Sequence, residues 1–122
     1  MLIFLHERVG YILMALGLVG CAWTFISLRR SGQAPSGVRA MLILTEGLAI
    51  LEGLMGLVLY GSGLRPGNVP FHFMYGVVSV LVIPVVWVLS ARSSARGEAM
   101  YLGFGALLLA GVAFRAIMVG AA

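Results

Sequence analysis

The sequence predicts an all-α membrane protein, with four transmembrane helices in an up-down-up-down bundle that forms a single domain over residues 1–122. Three observations carry this expectation. Apolar residues make up 61% of the chain, and its mean hydropathy is +1.09. Charge is scarce: eight Arg and four Glu, with no Lys or Asp, amount to 10% of the residues, whereas soluble domains carry about 25%. Apolar runs also recur four times, each near the roughly 20 residues needed to cross a bilayer. Such a composition cannot clothe a water-facing surface. It also excludes a disordered or nucleic-acid-binding chain, because the pI near 10.0 reflects scattered Arg rather than a basic patch.

The first span is expected at about 4–28. Its apolar core is too long for a signal peptide, no basic segment precedes it, and Arg29-Arg30 follow it like a stop signal. Cys21 lies inside this run without a second cysteine, so it reads as a small packing residue. Spans two, three and four are expected at about 40–61, 70–91 and 99–120. The breaks at 29–37, 61–68 and 91–98 are rich in Gly, Pro, Ser and Arg, which suit turns. Loops this short make consecutive helices antiparallel neighbours and leave spans one and three on a diagonal. Pro84 sits in the middle of span three and is expected to kink it or free a carbonyl.

Orientation follows from arginine. Arg29, Arg30, Arg39, Arg92 and Arg96 flank the first and third breaks, against Arg8 and Arg65 on the other side. Positive residues stay inside. Both termini are then expected outside, which in a bacterial inner membrane means the periplasm. A faint repeat places His6 on His72 and Gly10 on Gly76 at an offset of 66, and Gly47 on Gly111 and Gly56 on Gly120 at an offset of 64. It suggests two parallel helical hairpins related by an axis along the membrane normal.

Ionisable residues within spans are costly and mark candidate sites. His6 and His72 fall on the outer side at similar depth, each followed four residues later by a glycine that leaves room on the same helix face. Histidines on two facing bundle helices can ligate haem axially; interfacial or hydrogen-bonded histidines are the commoner case, and another metal or a proton relay is the remaining reading. Two His without Cys or Asp nearby make a poor zinc site. Glu52 lies near mid-bilayer and is expected to form an intramembrane ion pair with Arg115 on span four. Arg115 can instead reach out to a lipid phosphate or a haem propionate. Glu46 reads as a proton-uptake carboxylate or a water-exposed interfacial group. Gly53, Gly56 and Ala49, like Gly103 and Gly105, read as close-packing surfaces.

The segments Leu5-His6-Glu7-Arg8-Val9-Gly10 and Phe71-His72-Phe73-Met74-Tyr75-Gly76 resemble those of small four-helix b-type cytochrome bundles with two histidine ligands. More distantly, they are similar to half of a haem A synthase. In the synthase a Glu precedes the His and an Arg follows it directly; here Glu7 follows His6, and the second segment has no Glu–Arg. The resemblance implies haem b ligated by His6 and His72, with quinone-linked electron transfer. Arg8, Arg65 and Arg115 are the candidates to neutralise its propionates. Two other functions fit the composition: an accessory subunit of a larger membrane complex or homo-oligomer, and a small proton-coupled exporter using Glu52. No phosphate-binding loop, nucleophile–base set or zinc spacing is present in the sequence.

Overall fold

Several helix ends in this protein are set by capping chemistry, not by where apolar sequence stops. In the computed structural model, which describes residues 1–121, four helices run α1 (Leu2–Ser31), α2 (Ser36–Gly61), α3 (Val69–Ser90) and α4 (Ala95–Ala121). α1 continues through Arg29 and Arg30, whose charges favour a helix C-terminus. It stops at Gly32, whose φ of 75° lets its N–H reach Leu28 O at 2.9 Å. α3 starts where the Asn68 side chain accepts a hydrogen bond from Phe71 N at 3.3 Å, and it runs unbroken through Pro84. α4 starts under Ser94, whose Oγ accepts from Gly97 N at 3.1 Å, and carries Glu98 in its first turn. The caps at Gly32 and Ser94 carry α1 and α4 beyond the apolar spans, whereas α2 starts directly after Pro35 with no side-chain cap.

The packed pairs are α1–α2, α2–α3, α3–α4 and α1–α4. This is a closed square with α1 diagonal to α3 and α2 diagonal to α4. All four helices are long and apolar enough to cross a membrane, and the described residues form no strand. The outward face is apolar: Leu44 is 71% and Val88 74% exposed. The protein is membrane-integral, because only lipid can cover such a face without penalty.

Inside, the side chains divide into two apolar layers. One joins Val38, Leu42, Val82, Ile83, Leu102, Ala106 and Leu109, with Cys21 against it. The other joins Leu13, Ala49 and Ala113. Lipid removes the hydrophobic drive between spans, so close packing of small residues takes its place. Gly17 shows this most directly: a Cβ there would lie 2.7 Å from Ala106 O and 2.9 Å from Ala110 N, so the backbones of α1 and α4 nearly touch.

The end carrying both termini is closed by the α2–α3 loop. Gly67 N and Asn68 N donate to Gly120 O and Val119 O, both at 2.9 Å, and so satisfy carbonyls that α4 leaves free at its last turn. At the opposite end an Arg39–Glu98 ion pair ties the start of α2 to the start of α4.

Candidate functional site

Near the termini end, the bundle interior turns polar. His6 from α1 and His72 from α3 meet across the diagonal, their ring centroids 6.0 Å apart and their planes at 73°. Each ring is held by the helix that follows its own in the chain. His6 Nδ1 stands 3.0 Å from Glu52 Oε1 on α2, an ion-pair contact lacking the alignment of a hydrogen bond. His72 Nδ1 donates to Ala116 O on α4 at 2.9 Å. A carbonyl can only accept, so the proton of His72 is on Nδ1. The His6 and Glu52 side chains are 17% and 18% exposed, and Glu52 Oε2 is buried with no donor.

Two glycines make room for the rings. A Cβ at Gly56 would lie 3.2 Å from His6 Cε1, and one at Gly120 would lie 2.8 Å from both His72 Cε1 and Nδ1. The faint repeat acquires a physical meaning here. Its offset of 64 carries Gly56 onto Gly120 and also Glu52 onto Ala116. Each hairpin therefore presents one histidine, one glycine that receives it and, one turn before that glycine, one oxygen facing Nδ1. The oxygen belongs to a side chain in the first hairpin and to the backbone in the second.

The structure thus brings together His6, His72 and Glu52. Glu52 faces His6 and not Arg115, which corrects the expected Glu52–Arg115 pair. α2 and α4 stand on opposite corners, and Arg115 lies on the exposed outward side of α4, its guanidinium 5.9 Å from the Tyr75 ring centroid. Among the described residues the ion pairs are His6–Glu52 and Arg39–Glu98. Arg8 stacks over Phe4 at 4.8 Å, and Arg65 covers the Tyr60 ring at 3.8 Å while donating to Tyr60 O, which closes the end of α2. The glycines expected beside the rings stand elsewhere. A Cβ at Gly10 would approach Glu52 Oε1 and Ile117, and one at Gly76 would meet open space.

Sequence reasoning found both histidines and Glu52 but not the roles of Gly56, Gly120 and Ala116. The available signal was the second, 64-residue offset. The donor set has a definite chemistry. Two imidazoles face each other, and no group of three or more His, Cys, Asp or Glu able to hold a metal exists among the described residues. A zinc site needs three or four protein ligands. Two opposed imidazoles serve a metal whose remaining positions are filled by a macrocycle, as in haem. The residues fit that group in donor number and in the anchoring of His72 Nδ1, with Glu52 Oε1 beside His6 Nδ1. The edge-to-face contact of the rings must part to admit it. Against protein-family profiles, curated proteins and solved structures alike, the chain shows no match.

Proposed function

We propose that the protein is a membrane-integral electron carrier that binds haem b between His6 and His72. The observation that supports this reading is the paired imidazole geometry: two rings on diagonal helices, 6.0 Å apart, each with Nδ1 facing an oxygen of the next helix. Ligating histidines generally turn their second nitrogen to a carboxylate or carbonyl, which fixes the ring and raises its basicity. His6 and His72 would hold the group through Nε2. When bound, the haem supplies one-electron redox chemistry.

The chain's own residues have distinct tasks. Ala116 O keeps the His72 proton on Nδ1, so Nε2 carries the free lone pair. Glu52 Oε1 stands 3.0 Å from His6 Nδ1, where it would orient the ring and leave Nε2 to hold the group. The apolar layer around Leu13, Ala49 and Ala113 shields the site from water on the opposite side. Redox partners are then a quinone dissolved in the bilayer or another membrane subunit.

The optical spectrum of the purified protein tests this. A Soret band with α and β bands on reduction is expected, and both His6→Ala and His72→Ala should abolish the low-spin signature. A colourless protein that co-purifies with larger subunits would replace this reading with that of an accessory subunit. The buried, donorless Glu52 Oε2 favours one further reading, proton transfer through Glu52 and His6. Cation efflux driven by a pH gradient, lost in Glu52→Gln, would select it.

We place the protein in a bacterial inner membrane with both termini periplasmic, on the excess of arginine around the first and third loops. A reporter active only in the periplasm should be active when fused after Ala122. Activity of a cytoplasmic reporter alone at that position would reverse the orientation.

A further inference from the structure

Among the described residues Arg115 has no acidic partner. Of the four glutamates in the chain, Glu98 pairs with Arg39 at the far end and Glu52 faces His6; among the described residues Arg115 makes no ion pair. Its guanidinium lies on the exposed, outward side of α4 at the edge of a groove of about 630 Å³. The groove crosses the lipid face of α4 between α1 and α3 and is walled by Met14, Leu18, Tyr75 and Phe114. Its floor includes Gly111, where a Cβ would meet nothing within 4 Å. The wall is apolar almost throughout, with the arginine as its one charge.

Arg115 lies six residues before Ala121, the last residue of α4, so it sits roughly 9 Å along the axis from the helix end at 1.5 Å per residue. An arginine at that depth reaches the headgroup level while its stem stays in hydrocarbon. A guanidinium in this position requires a counter-charge, and planar donors of this kind match phosphate oxygens in a bidentate fashion. The counter-charge must come with a hydrocarbon chain, because the rest of the groove offers nothing to a water-soluble anion. We infer that this groove is a binding site for an anionic phospholipid, its phosphate on Arg115 and one acyl chain along the cleft over Gly111. The site is separate from the histidine pair and does not depend on haem binding.

The test uses the full-length protein, reconstituted in bilayers of phosphatidylcholine with an equal fraction of phosphatidylglycerol of the same acyl chains. Retained lipid is read by native mass spectrometry after release. One phosphatidylglycerol per protein is expected, favoured over phosphatidylcholine by about tenfold, because the phosphate of phosphatidylcholine is already neutralised by its own choline and that of phosphatidylglycerol is not. Arg115→Gln should remove the preference. Gly111→Leu should lower occupancy by filling the cleft, and its new side chain points into open space, so the helical circular dichroism should be unchanged. Equal retention of the two lipids would overturn the proposal. So would an Arg115→Gln protein that keeps the preference, one that loses haem absorbance while retaining the lipid, or one whose only change is loss of a dimer formed through this face.

Discussion

Gly17→Val is expected to separate α1 from α4 and to cost more than any other single apolar substitution in the bundle. Even the first carbon of a new side chain would lie 2.7 Å from Ala106 O and 2.9 Å from Ala110 N and Cβ. Two of these three atoms are backbone, so no rotamer change relieves the clash and one helix must move away from the other. Overpacking in well-packed cores costs about 1–3 kcal/mol and occasionally more; obstruction by backbone places Gly17→Val at or above the top of that range. The same contact fixes α1, which carries His6 to Glu52, so the loss should extend to the polar site. Gly47→Ala is the matched control. A Cβ there meets nothing within 4 Å, and alanine is the better helix former. Thermal unfolding in detergent should show a large drop for Gly17→Val and none for Gly47→Ala. Equal melting temperatures for the two variants would mean that the close approach of the helices is not what holds the bundle.

The fold was largely legible in the sequence because the bilayer leaves so few solutions. Four apolar runs separated by Gly, Pro, Ser and Arg allow only helices, and short loops allow only antiparallel neighbours. Helix ends were less legible, since they depend on caps such as Gly32 and Asn68 that hydropathy does not register. The site was legible in part. Histidine stands out in an apolar span, so His6 and His72 were visible, and the shared depth of parallel spans put them at one level. Partners were harder to read, because they depend on rotation about the helix axis. Glu52 and Arg115 are comparable in depth, yet α2 and α4 occupy opposite corners and Arg115 turns outward. The glycine four residues after each histidine was a signal of helix phase within one strand of the repeat. The glycines that receive the rings come from the neighbouring helix of each hairpin, and the partner of His72 is a backbone carbonyl with no side-chain signature at all.

The contact between His6 and Glu52 leads to the second large expected effect, best read as a coupling. His6→Ala and Glu52→Ala should each destabilise the bundle, because each leaves a mostly buried polar group facing an empty space. Making both changes removes the exposed need along with the contact, so the double variant should be less damaged than the sum of the singles. A coupling of about 1–3 kcal/mol is expected for side chains in direct contact. Glu52 and Arg115 supply the discriminating comparison. With no contact between them, Glu52→Ala and Arg115→Ala should add to within about 0.5 kcal/mol. Unfolding in mixed micelles gives both numbers from one set of variants. If the coupling appears between Glu52 and Arg115 and is absent between Glu52 and His6, the rotation assigned to α2 is wrong, and with it the carboxylate that holds the first histidine.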